Sequence, residues 1–60
     1  MRDNFKKIMN SMDTNGIIEA MRQTWDKPEG EIFREIGFEI IDERVSEEES
    51  DRIYAELYAA

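Results

Sequence analysis

Residues 29–45 constrain the fold of this chain most, because their apolar side chains fall on two sides of a helical projection. At about 100° per residue, one side carries Ile32, Phe33, Ile36 and Ile40, and the other carries Phe38, Ile41 and Val45. A helix on a protein surface normally has a single apolar stripe. The segment is therefore expected either at the centre of its domain or between two chains.

The length of the chain bears on that choice. It has 60 residues, and a domain of this size buries only about 60 % of the surface that its unfolded chain exposes. Small domains often add disulfides, a metal or oligomerisation, and Cys and His are both absent. We therefore predict a homodimer with Phe38, Ile41 and Val45 at the interface. The alternative is that the other helices of the same chain cover both sides.

Helical spacing of apolar residues recurs along the rest of the chain and predicts an all-α fold. It runs through Phe5, Ile8, Met9 and Met12, then Ile17, Ile18, Met21 and Trp25, and finally Ile53, Tyr54, Leu57 and Tyr58. Asn15-Gly16 and Pro28 are expected to separate the first three helices, and Ser46-Glu47-Glu48-Glu49 matches a capping box at the start of the fourth. These signals predict one compact bundle of three to four short helices, at about 3–14, 17–26, 29–45 and 47–58.

Residues 36–40 (IGFEI) also alternate as a strand would. A strand needs a partner, however, and the other candidate is the short segment 16–18 (GII). Helix is therefore the prediction for residues 36–41.

The net charge of −7 is concentrated in the second half of the chain. Residues 1–28 contain four acids and five bases, whereas residues 29–60 contain eleven acids and three bases. Like charge repels both DNA and anionic membranes. The second half is therefore expected to bind neither, and its charge favours a partner with a basic surface.

Much of this charge forms an acidic stripe along the predicted third helix. Glu31, Glu35, Glu39 and Glu43 are four residues apart, and like charges at this spacing cost about 0.2–0.5 kcal/mol per pair. We predict that this stripe, extended by neighbouring acids, docks on a basic partner; the added residues are Asp42, Glu47, Glu48 and Asp51. The alternative is a solvated face that keeps the protein soluble. The basic residues Arg2, Lys6 and Lys7 could pair with the stripe, within the chain or across a dimer.

Other candidate sites are few. Trp25, Tyr54 and Tyr58 are possible binding anchors, or they complete the core. Residues 11–18 resemble the first part of an EF-hand calcium loop, but Ser11 and Arg22 stand at its first and twelfth positions, where acidic ligands are needed. No calcium or other metal site is therefore expected. Without His, Cys or a Gly-rich phosphate loop, neither a catalytic constellation nor a cofactor site is expected.

The sequence thus predicts a non-enzymatic, acidic protein–protein interaction module that blocks or regulates a larger partner. Phage and mobile-element inhibitors and antitoxins include chains of this class, which is an analogy at the level of class. Two alternatives stay open: a nucleic-acid mimic that occupies a DNA- or RNA-binding groove, and a small assembly subunit that acts by oligomerising. No apolar run approaches the roughly 20 residues that span a bilayer, and a cytoplasmic location is expected.

Overall fold

Four helices and no strand make up the regular structure of residues 2–59, the part of the chain that the computed structural model describes. They are α1 (Arg2–Asn10), α2 (Thr14–Gln23), α3 (Gly30–Arg44) and α4 (Glu47–Ala59). Helix α3 packs against each of the other three. The predicted all-α bundle is confirmed, and residues 36–41 are helical. None of the described helices is long and apolar enough to cross a membrane.

The boundary between α1 and α2 differs from the prediction. Helix α1 ends at Asn10, and α2 already begins at Thr14, so Asn15 and Gly16 lie in its first turn. The reason is the Asp13 side chain, which caps α2 by accepting a hydrogen bond of 2.7 Å from the backbone N–H of Gly16. Asp and Asn are preferred at this cap position, and here the cap, not the Asn-Gly pair, sets the start of the helix.

The turn between α2 and α3 also shifts the predicted start of α3. Pro28 lies in the turn, Glu29 occupies the N-cap position, and the helix begins at Gly30. Backbone hydrogen bonds from Lys27 to Thr24 (3.0 Å) and from Gly30 to Lys27 (2.9 Å) tighten the turn. An alanine Cβ at position 30 would lie 1.8 Å from the Thr24 carbonyl oxygen. Glycine at position 30 therefore allows the chain to close on itself here.

Most of the apolar side chains on both sides of α3 are buried within this single chain, although Ile32 remains 37 % exposed. Ile36 and Ile40 lie in the core with Met9, and Ile41 is also fully buried. On the second side, Phe38 is 7 % exposed and stacks on Tyr54 of α4. Val45 is half-buried and packs against the same core. The predicted dimer interface at Phe38, Ile41 and Val45 thus contributes to the core of the chain itself, because α4 covers this side.

Gly37 lies at a close approach between α2 and α3. A Cβ there would lie 2.5 Å from Met21 Sδ and 3.4 Å from Ile17 Cγ2, and Ile17 and Met21 are fully buried. The glycine that weakens the helical pattern of residues 36–40 is therefore explained by helix packing. A side chain would hold the two helices apart.

One of the two hydrogen bonds of the predicted capping box is present at the start of α4. The backbone N–H of Glu49 donates to Ser46 Oγ at 3.3 Å. The carboxylate of Glu49 does not return to Ser46; it pairs with Arg52 one turn further on. Ile53 and Leu57 of α4 are buried, and Tyr54 faces α3.

Candidate functional site

A shallow groove of about 520 Å³ runs between α3 and α4, and aromatic side chains form its floor. Phe38 of α3 and Tyr54 of α4 stack with ring centroids 3.6 Å apart and planes 9° apart. Tyr58 follows one turn along α4, with its ring at 12° to that of Tyr54 and a centroid distance of 6.4 Å. Tyr58 is 66 % exposed, so the row of three rings ends at the surface.

Trp25 packs against this row of rings, and Arg34 packs on Trp25. Trp25 packs edge-to-face on Tyr58, with centroids 4.9 Å apart, and on Phe38, at 6.3 Å. The Arg34 guanidinium lies over the Trp25 ring, 5.2 Å from its centroid, and donates a 2.6 Å hydrogen bond to the Trp25 carbonyl oxygen. An arginine from α3 thereby ties the end of α2 to the aromatic cluster.

Acidic side chains line the groove around its aromatic floor. The α3 residues that do so are Glu31, Glu35, Glu39 and Asp42. A second hollow of about 450 Å³ shares Asp42 and Tyr54 with the groove and adds Glu47 and Asp51 of α4. We call the two together the α3–α4 groove. Arg34 is the basic residue in its lining.

The acidic stripe is partly neutralised by α1, as one of the sequence alternatives expected. Arg2 lies 3.2 Å from Glu35 and 2.7 Å from Glu39, and Lys6 lies 2.7 Å from Glu39 and 3.2 Å from Glu43. These cations alternate with the carboxylates along the stripe, which removes the repulsion that makes four stacked glutamates costly. Part of the stripe thus has a structural role in holding α1 on α3.

Glu39 is at the centre of these four ion pairs between α1 and α3, which we call the ion-pair ladder. Its position lowers the pKa of its carboxyl group. The hydrogen bonds from Lys6 and Arg2 lower the pKa of the Glu39 carboxyl from 4.5 to about 2. The same bond from the other side raises the pKa of the Lys6 ammonium. The Lys6–Glu39 pair therefore stays charged throughout the physiological range.

Four acids of the groove lie outside this ladder and form no ion pair within residues 2–59. They are Glu31, Asp42, Glu47 and Asp51. Asp42 accepts a hydrogen bond from the buried hydroxyl of Ser50. The negative charge of these four side chains is consequently available to a basic ligand without first breaking an internal ion pair.

Tyr54 connects the acidic and aromatic parts of the groove. Burial raises the pKa of its hydroxyl, and the charge of Asp42 raises it further. The hydroxyl therefore remains protonated and can donate a hydrogen bond into the groove.

Not all the residues predicted for partner binding meet in the groove. Glu43 faces Lys6 of α1, and Glu48 is exposed in the first turn of α4 but does not line the groove. The predicted anchors Tyr54 and Tyr58 are in the groove, whereas Trp25 packs beside it. Phe38, predicted at a dimer interface, lines the groove instead; its spacing from Glu35 and Asp42 is a signal in the sequence that could have placed it beside these acids on one helix face.

The groove offers carboxylates and aromatic faces, and a cation is the ligand that both of these attract. Among residues 2–59, no group of three acidic side chains is arranged to hold a metal ion. In the segment that resembles a calcium loop, Asp13 uses its carboxylate to cap α2. Carboxylates beside aromatic faces suit an organic cation, such as a basic side chain.

Searches for related proteins gave no match to this chain among models of protein families, curated protein sequences or solved structures.

Proposed function

We propose that this chain is a non-enzymatic binding module that engages a basic segment of a larger protein in the α3–α4 groove and thereby blocks or regulates that protein. The observation that carries the proposal is the position of the unpaired acids. Glu31, Asp42, Glu47 and Asp51 surround a floor made by Phe38, Tyr54 and Tyr58.

Charge complementarity defines the partner. Lys and Arg side chains carry long apolar stems behind a charged head, so a basic segment could lay its stems on the rings and place its charges against the carboxylates. Exposed ion pairs contribute only about 0.2–1 kcal/mol each. A specific complex would therefore combine several of them with burial of Tyr58, whose ring is 66 % exposed in the free chain.

The experiment compares charge reversals inside and outside the groove. Glu31→Lys combined with Asp51→Lys reverses two unpaired groove acids. Glu48→Lys combined with Glu56→Lys makes the same change in net charge at exposed positions that do not line the groove. Binding of fluorescent hexa-arginine and hexa-lysine is measured by polarisation near physiological ionic strength, where charges further apart than about 8 Å are largely screened.

The groove variant should bind both peptides at least about tenfold more weakly, because two attractions become repulsions worth up to about 1 kcal/mol each. The control should change affinity by less than about threefold at this ionic strength. Equal losses in the two variants would show that only net charge matters, and the groove proposal would fail. Glu35 and Glu39 are less suitable positions for reversal, because their ion pairs hold α1 on α3.

The two alternative functions have less support. Nucleic-acid mimicry needs a density of negative charge close to that of a phosphate backbone, and Arg2 and Lys6 neutralise part of the stripe. A mimic would compete with a nucleic acid for the partner, so simultaneous binding of both would exclude it. The assembly-subunit alternative relied on an apolar helix face, which α4 covers within the chain.

Self-association as a homodimer stays a prediction. Among residues 2–59, the large apolar side chains that remain exposed are Ile8, Ile32 and Tyr58. They lie on α1, α3 and α4, whereas isologous dimers bury one contiguous patch from each chain. Light scattering coupled to size-exclusion chromatography gives the mass directly.

A further inference from the structure

We infer that the α3–α4 groove recognises arginine in preference to lysine, with the exposed ring of Tyr58 as the platform for the guanidinium group. The inference rests on the proposed function and names the chemistry of the partner segment more closely. Its basis is the combination of an exposed aromatic face with unpaired carboxylates in a single groove.

The free chain already contains the same type of contact next to the groove. The Arg34 guanidinium lies 5.2 Å from the centroid of the Trp25 ring, and its Nη1 donates a hydrogen bond to the Trp25 carbonyl oxygen. Trp25 in turn packs edge-to-face against Tyr58 at 4.9 Å. A guest arginine on the exposed face of Tyr58 would extend this arginine–aromatic cluster by one further contact.

The shallowness of the groove favours arginine for a physical reason. A guanidinium is planar and weakly hydrated, stacks on aromatic faces and pairs with a carboxylate through two parallel N–H bonds. An ammonium is a compact, strongly hydrated charge. An open groove cannot replace the full hydration shell of an ammonium, whereas it can hold a guanidinium that remains hydrated at its edge.

The acids at the two ends of the groove restrict where the guanidinium can bind. Phe38 stacks on Tyr54 and the Ser50 hydroxyl donates a hydrogen bond to Asp42, so α3 and α4 run antiparallel. Glu31 therefore lies towards the Tyr58 end of the groove, while Glu47 and Asp51 line the hollow at the Tyr54 end. A segment with several arginines would therefore reach carboxylates along its length and place one guanidinium on Tyr58. A segment with lysines alone would gain the ion pairs without the stacking.

The experiment measures hexa-arginine and hexa-lysine binding to the full chain and to two variants, Tyr58→Phe and Tyr58→Leu. One exposed cation–π contact corresponds to about a two- to fivefold change in affinity. We expect that hexa-arginine binds the unaltered chain more tightly than hexa-lysine by at least this factor. The preference should persist in Tyr58→Phe, which keeps a ring, and shrink by two- to fivefold in Tyr58→Leu, with little change for hexa-lysine.

A preference for arginine that is undiminished in Tyr58→Leu would overturn the inference, because carboxylates alone would then account for it. Should Tyr58→Leu unfold, proton NMR of the unaltered chain decides instead: hexa-arginine must shift the Tyr58 ring signals and hexa-lysine must shift them less. Equal binding of both peptides that still depends on Glu31 and Asp51 would refute arginine selectivity and leave the proposed function standing. The mass of the unaltered chain without peptide is measured by light scattering in the same way. A mass above that of a monomer, reduced to the monomer by Tyr58→Leu, would assign this surface to self-association and refute the inference.

Discussion

Replacing each of the three glycines by alanine separates what helix propensity predicts from what the packing predicts. Gly16, Gly30 and Gly37 are all helical and none has a positive φ. Intrinsic propensity alone therefore favours alanine by about 0.5–1 kcal/mol in a helix interior. The structure predicts three different results, because an added Cβ meets different atoms at each position.

Gly37→Ala should lower the free energy of unfolding by about 1–2 kcal/mol. The added methyl would lie 2.5 Å from Met21 Sδ, whereas unstrained heavy-atom contacts are about 3.5–4.0 Å. Met21 is fully buried, so it must move within a packed interior, at a cost of about 1–3 kcal/mol. The propensity gain offsets only part of this cost.

Gly30→Ala should lower the free energy of unfolding by more, about 3 kcal/mol or above, because the methyl would lie 1.8 Å from the Thr24 backbone oxygen. The total stability of a chain this short is only about 3–9 kcal/mol. Gly16→Ala is the matched control: its nearest contact, 2.9 Å away, is the side-chain oxygen of Asp13, which can rotate. Its change should stay within about 0.5 kcal/mol, as a weakened cap offsets the propensity gain.

Urea unfolding followed by far-UV circular dichroism measures all three changes. The predicted order of stability is Gly16→Ala above Gly37→Ala above Gly30→Ala. A second test combines Gly37→Ala with Met21→Ala: the double variant should be more stable than the sum of the two single losses predicts, because the methyl fills space that the thioether leaves. If Gly37→Ala is as stable as the parent, α2 and α3 do not approach as closely as described.

Three further predictions follow from the ion pairs and the core. The Glu39 pKa is about 2 in the folded chain against 4.5 ordinarily, so the stability that this carboxylate confers is present above pH 4.5 and is lost as the pH falls towards 2; urea midpoints should fall less over this range in Glu39→Gln than in the parent. Arg44 donates to the Asn10 carbonyl oxygen at 2.8 Å and to Thr14 Oγ1 at 3.3 Å, and Arg44→Ala should lower the free energy of unfolding by about 0.5–1.5 kcal/mol, a loss that equal stability of parent and variant would disprove. Ile41→Ala should cost about 2–5 kcal/mol without changing the mass measured by light scattering, and a lower mass would mean that Ile41 lies between two chains.

The helices could be predicted from the sequence because each depends on local spacing and on caps. Ser46 marked the start of α4 through its capping pattern, and the bond to the Glu49 N–H is present. The start of α2 was predicted three residues late, because Asn-Gly is a turn signal in many contexts and Asp13 could equally have belonged to the end of α1. Only the bond from Gly16 to Asp13 identifies it as a cap.

The tertiary assignments were harder to predict because local spacing does not say which element covers a face. The two apolar sides of α3 were recognised, but Phe38 packs on Tyr54 of the same chain, sixteen positions further on. The line of glutamates was recognised as costly, yet its compensation by Arg2 and Lys6 depends on how α1 docks. The groove likewise needs α3 and α4 side by side, since each helix supplies only part of its floor.

The most direct test of the binding groove is to locate a bound basic peptide on the chain. Two-dimensional ¹⁵N–¹H NMR spectra recorded during a hexa-arginine titration report the backbone position of each contact. A peptide bound in the groove should give the largest shifts at residues that line it, namely Glu31, Phe38, Asp51, Tyr54 and Tyr58. Shifts spread evenly over the acidic residues, or concentrated on α2, would contradict it.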